Sequence, residues 1–106
     1  MQPENIFENL PEDFPEGEQF DQLCSKAGVT IERIISQGHK TAEGKWLCSE
    51  KNEWVFVLKG EGVLEFQHAG QVRLKRGDYC FIPAGSRHRV ADTSHEEKTI
   101  WLAIHF

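Results

Sequence analysis

From Val29 onward the chain alternates short apolar runs with turn residues. VTIERIIS, EWVFVLKG, GVLEF, QVRLK, DYCFIP, HRVAD and TIWLAIHF are rich in β-branched and aromatic residues. Gly60-Glu61-Gly62, Ala69-Gly70, Arg76-Gly77-Asp78 and Pro83-Ala84-Gly85 punctuate them. Short strands at such close spacing predict an all-β sandwich or barrel. The first 28 residues read differently. Pro11 and Pro15 interrupt them, and EGEQFDQLCSKAG, ending at Gly28, predicts one short helix capped by that glycine. The organisation expected is an N-terminal arm, residues 1–28, belonging to the same domain as a barrel of residues 29–106.

Parity along the strands assigns their faces. In EWVFVL, Glu53, Val55 and Val57 share one face, while Trp54, Phe56 and Leu58 share the other. Both faces are apolar apart from one carboxylate, so the strand needs a second layer over it. In SRHRVAD, His88, Val90 and Asp92 point inward, and Arg87 and Arg89 point to solvent. Glu53 and His88 thus fall on inner faces of different strands. A buried carboxylate is costly unless something pairs with it, so a partner is implied.

Composition narrows the partners. The 106 residues are 39% hydrophobic and 27% charged, ordinary for one folded domain with one site. Net charge is −5, and the first 21 residues hold seven acidic residues with no Lys or Arg. An acidic arm on a nearly neutral body argues against nucleic acid and anionic lipid as partners. No apolar stretch is long enough to span a bilayer, and the acidic N-terminus does not read as a signal peptide. Three widely spaced cysteines, Cys24, Cys48 and Cys80, do not form a disulfide framework. Together these features predict a cytoplasmic protein.

GDYCFIPAGSRH carries a family resemblance. A Gly, five residues, Pro, one residue, Gly, two residues and His is the second motif of the cupin superfamily, here Gly77, Pro83, Gly85 and His88. The family's next motif position, an Asn four residues on, is Asp92 here. EWVFVLKG resembles the end of the first motif, with Glu53 and Gly60. The resemblance covers roughly residues 30–106 and implies a small single-domain cupin. The implied fold is a double-stranded β-helix, or jelly-roll barrel, with its site inside near one mouth.

In metal-binding cupins two histidines separated by one residue precede that Glu. The corresponding pairs here are Leu47 and Ser49, or Trp46 and Cys48. A site for zinc, nickel or iron would therefore need Glu53 and His88 completed by Cys48 or, further down the order, by His39 or His105. The plain alternatives are Cys48 as a small buried hydrophobe, His39 in an exposed loop and His105 as a satisfied core or terminal histidine. His68 and His95 read as solvent-exposed. Trp46, Trp54 and Trp101 are candidates for an aromatic mouth, and with Glu53, His88, Trp46 and Cys48 the sequence describes a small-molecule pocket.

Three functions stay open. The first, and the one the residues favour, is a barrel that binds a small organic ligand on Glu53 and His88, in a sensing or non-catalytic role. The second is a metal-dependent enzyme of dioxygenase, isomerase or lyase type with an atypical ligand set, and the third a structural module with a plugged barrel. No cofactor is required by the first. The aromatic face of Trp54, Phe56 and Leu58, with the resemblance to small cupins, predicts a homodimer.

Overall fold

The computed structural model describes residues 1–106 as two antiparallel sheets with no helix. The strands are β1 (Gln19–Lys26), β2 (Val29–Ser36), β3 (Glu53–Lys59), β4 (Glu61–Phe66), β5 (Gly70–Lys75), β6 (Tyr79–Ile82), β7 (His88–Thr93) and β8 (Thr99–His105). A five-stranded sheet, in the order β1-β2-β8-β3-β6, is completed by a three-stranded sheet, β5-β4-β7. The expected jelly-roll barrel is the fold of the protein. Its core packs Val55, Val57, Ile82 and Trp101 of the larger sheet against Leu64 and Leu74 of the smaller. The approach is close at Gly62, where a Cβ would lie 2.3 Å from the Trp101 ring. Only a residue without a side chain lets the indole lie flat there.

The expected helix ending at Gly28 is absent. Residues Gln19–Lys26 instead form β1, paired with β2 from Gln19↔Ile35 to Lys26↔Val29. Ala27 (φ 53°) and Gly28 (φ 82°) are both left-handed, the requirement of a two-residue hairpin turn whose twist matches the flanking strands. A glycine that supplies positive φ serves a helix cap and such a hairpin equally, and strand pairing decided between them. On β7 the expected alternation also stops early. The ladder shifts between Val63↔Asp92 and Leu64↔Val90, so Asp92 faces solvent and Thr93 takes the inner position. Arg87 is exposed, as expected, while Arg89 is half-buried and donates from Nε to Glu65 Oε1 at 2.6 Å.

Registers on the larger sheet align side chains in rows. Asp21, Arg33, Leu102, Phe56 and Tyr79 lie on the outer face in one row, and Ile31, Ile104, Trp54 and Phe81 in the next. Arg33 is buried beneath the arm. Its guanidinium donates to the carbonyls of Ile6 (3.0 Å), Glu8 (2.6 Å) and Asn9 (3.3 Å) and to Asp21 Oδ2 at 2.8 Å. The arm is therefore strapped to the outside of β1 and β2 by one planar, five-donor group.

Removing that group leaves three carbonyls and a carboxylate without their donor. Arg33→Ala is expected to cost about 3 kcal/mol in denaturant unfolding. It is also expected to open the segment before Gln19 to limited proteolysis while the barrel stays intact. An arm as protease-resistant as in the parent protein would contradict this role for Arg33.

Candidate functional site

The inner rows of the larger sheet form the floor of a cavity. Thr30, His105, Glu53 and Ile82 are successive neighbours in one row, and Glu32, Ala103, Val55 and Cys80 in the adjacent one. The connection from β2 to β3 crosses above them. Leu47 exchanges two backbone hydrogen bonds with His88, and Gly85 N–H donates to the Ser49 carbonyl at 2.7 Å. These contacts hold Leu47, Cys48 and Ser49 over the floor. The cavity has a volume of about 450 Å³, and its apolar walls include Ile34, Val55, Leu64, Ile82, Val90 and Trp101.

Polar groups converge on one part of it. Glu53 and His105, expected on the inner face and near the C-terminus respectively, stand opposite each other on β3 and β8. His105 Nε2 lies 3.0 Å from Glu32 Oε1, and its Nδ1 lies 3.8 Å from Glu53 Oε1, too long for a hydrogen bond. His88 is only 7% exposed and also lines the cavity. Its Nδ1 lies 3.0 Å from the Ser86 carbonyl oxygen, which can only accept, so Nδ1 carries the hydrogen. In the neutral ring Nε2 is then a lone-pair acceptor. Burial raises the Glu53 carboxyl above its usual range, and the charges of His105 and then His88 draw it partly back. The Cys80 thiol, beside it on β6, is raised by burial and by the Glu53 carboxylate.

The remaining candidates are scattered. Cys48 borders the cavity but is exposed. Trp46 is half-buried outside the lining, Trp54 lies on the outer face, and Trp101 alone of the three tryptophans contributes to the cavity. His39 packs edge-on against Phe14 with ring centroids 4.7 Å apart, and its Nδ1 accepts from Gln37 N–H at 2.8 Å. No three His, Cys, Asp or Glu side chains gather into a metal-binding group. The set of Glu53, His88 and Cys48 is thus not assembled, and neither His39 nor His105 completes it. His39 is turned to Phe14, and His105 is engaged by Glu32. As placed, these side chains do not bring three donors together around one point, as a zinc, nickel or iron centre requires. Glu32 escaped the sequence reading. In VTIERIIS its alternation with Ile31 and Arg33 puts it on one face, but only pairing with β8 shows that this face is the inner one.

Glu53 gives a pH-dependent stability. Its folded value lies above the ordinary carboxyl value of 4.5, so the folded state holds the proton more tightly than the unfolded state. The stabilisation is complete below the unfolded value and disappears as pH rises through the folded one. Glu53→Gln, which carries no charge, is therefore expected to melt higher than the parent at slightly alkaline pH. The difference should shrink as the pH falls toward that of an ordinary carboxyl. Thermal melts of both proteins across that range check the sign, and a parent more stable than Glu53→Gln at alkaline pH would reverse it.

Comparison with known proteins agrees with the fold. A family model for the cupin domain matches residues 36–105. Among solved structures, a candidate mannose-6-phosphate isomerase from Ralstonia eutropha JMP134 is 38% identical with a TM-score of 0.92, covering 99% of this chain and 97% of its own. A protein from Thermus thermophilus is 20% identical (TM-score 0.78; 99% and 96% covered). A cupin superfamily protein from Desulfitobacterium hafniense DCB-2 is 17% identical (TM-score 0.78; 100% and 92% covered). No curated protein sequence matches. With the family match spanning most of the barrel, including Glu53 and His88, the chain belongs to the cupin family.

Proposed function

We propose that this cupin binds a small organic molecule inside the barrel, held by Glu53 and His88 with His105 beside them, and without a metal. One observation carries the reading. Two groups with free hydrogen-bonding capacity, the Glu53 carboxylate and His88 Nε2, face an otherwise largely apolar cavity of about 450 Å³, a size suited to a small ligand. A plugged barrel would leave no such space. The protein from Ralstonia, 38% identical over nearly the whole chain, carries the name of a candidate mannose-6-phosphate isomerase. Its substrate is not carried over, because a sugar phosphate calls for an anion site. Lys40, exposed at the rim, is the only Lys or Arg in the lining, against Glu18, Glu32 and Glu53.

A proton-transferring role is the second reading, favoured by the raised Glu53 carboxyl. A desolvated carboxylate beside an imidazole acceptor is a general base, able to take a proton from carbon next to a carbonyl and return it to the neighbouring carbon. His88 would carry the hydroxyl proton to the carbonyl oxygen in the same exchange.

A fragment screen by protein-observed NMR tests the cavity. Hits are expected to move the resonances of Val55, Leu64 and Trp101, and to weaken in His88→Ala. Elemental analysis of protein purified without chelator or a His tag is expected to show far less than one equivalent of zinc, nickel or iron. Near-stoichiometric metal that disappears in both His88→Ala and Glu53→Gln would overturn the metal-free reading.

We propose further that two copies pair through the outer face. Tyr79, Phe81 and Phe106 remain 61%, 41% and 43% exposed, packed in one aromatic patch with Trp54 and Phe56. The strapped arm covers the β1–β2 end of that sheet and leaves this end open. Isologous pairing would bury the patch. Sedimentation at micromolar concentration is expected to give a dimer, and Phe81→Glu a monomer. A parent that sediments as a monomer contradicts the pairing. The three unpaired thiols suit a reducing compartment, the cytoplasm, and the acidic balance argues against nucleic acid and anionic membranes as partners. No helix is long and apolar enough to cross a membrane.

A further inference from the structure

The cavity's charged groups are mostly carboxylates, and this selects the chemistry of its occupant. His88 is more than nine-tenths buried, and its Nδ1–H is committed to the Ser86 carbonyl. Nε2 has no protein partner, yet no buried polar atom is sealed without one, so this lone pair is reached from the cavity. The Glu53 carboxylate accepts no hydrogen bond, since His105 Nδ1 stands 3.8 Å away. His105 spends its Nε2–H on Glu32. Glu18, at the cavity's edge on the arm side, accepts from Ser36 Oγ at 2.7 Å. Thr41 and Ser49 hydroxyls accept from Val90 N–H and Lys51 N–H, and each keeps its own O–H to donate. Three carboxylates, one aimed lone pair and apolar walls are set against two hydroxyls and a single exposed lysine.

Resting on the reading of the barrel as a ligand site, we propose that the cavity takes a small organic cation, a primary ammonium on a compact apolar body. The ammonium donates to Glu53 and to His88 Nε2, and the body lies against Val55, Leu64 and Trp101. An ammonium brings three donors and no acceptor, the complement of the Glu53 carboxylate and His88 Nε2. A carboxylate or phosphate would meet lone pairs and like charge. A neutral alcohol has one donor for two acceptors and leaves the buried carboxylate uncompensated. The raised Glu53 carboxyl agrees, because a carboxylate held in a low-dielectric site gains from a bound cation. The groups facing Glu53 are His105 on β8, Glu32 on β2, His88 on β7 and Cys80 on β6, so binding is linked to its protonation. A cation binds the ionised form, and affinity rises with pH as Glu53 ionises.

Three probes of one shape separate the possibilities: n-butylammonium, butanol and butyrate, each titrated into the full chain by two-dimensional NMR and calorimetry. The ammonium is expected to shift Val55, Trp101 and His88 resonances and to bind about tenfold tighter than butanol, with butyrate not binding. Glu53→Gln should weaken the ammonium about tenfold and leave butanol within about twofold. The ammonium's affinity should also fall as the solution is acidified. Butyrate binding as well as the ammonium, or an ammonium affinity unchanged in Glu53→Gln, overturns the proposal. If butanol alone reaches the cavity, the ligand-site reading stands and the cation inference fails. If none of the three moves a cavity resonance at millimolar concentration, both fail.

Discussion

The register of β8 holds the site together. This strand lies between β2 and β3, and its pairing sets Glu53 against His105 and Ala103 between Glu32 and Val55. A slip of one residue would turn His105 outward and present Ile104 to the cavity. Two features oppose such a slip. Trp101 is seated over Gly62, and Thr99 Oγ1 accepts from Glu61 N–H at 3.2 Å and donates to the Glu61 carbonyl at 3.1 Å. Thr99 and Trp101 thereby key β8 to β4 in the opposite sheet. The packing that closes the barrel also aims the polar groups, so stability and site geometry share residues.

Within that frame the polar groups are unequally satisfied. Glu32 and His105 complete each other, and Glu18 is held by Ser36. Glu53 and one nitrogen of His88 are left open on the cavity side. Desolvating a carboxylate without a hydrogen bond works against folding. The apolar contacts of Val55, Val57, Leu64, Leu74 and Trp101 offset it. Such local imbalance marks Glu53 and His88 as the candidate site.

The outer face follows a different logic. Arg33 at one end draws the arm's carbonyls down onto β1 and β2, while the aromatic rows at the other end stay open. One sheet is thus divided into a strapped part and an unstrapped part. The division explains why an arm rich in acid and interrupted by prolines still lies against the body. Its backbone, not its side chains, makes most of the bonds to Arg33.

Much of the fold was legible from local pattern. Every strand from β2 to β8 coincides with a β-branched or aromatic run between turn residues, and the ungapped spacing of Gly77, Pro83, Gly85 and His88 specified the turn that sends His88 inward. Strand parity placed Glu53 beside Val55 and Val57 correctly, because side-chain period along a strand is a local property. What the sequence could not decide was which strands are neighbours. Glu32 and His105 are 73 positions apart and meet only through the β2–β8 ladder. The bulge on β7 that turns Asp92 outward depends on a partner strand, as does the choice between helix cap and hairpin at Gly28. Neither the open lone pair of His88 nor the cavity above it is written in any local stretch. The sequence by itself determined strands β2 to β8, most of their faces and the inward placement of Glu53 and His88; tertiary structure decided β1, the end of β7 and the pairing, because hydrogen-bond ladders join segments whose separation along the chain carries no local signal.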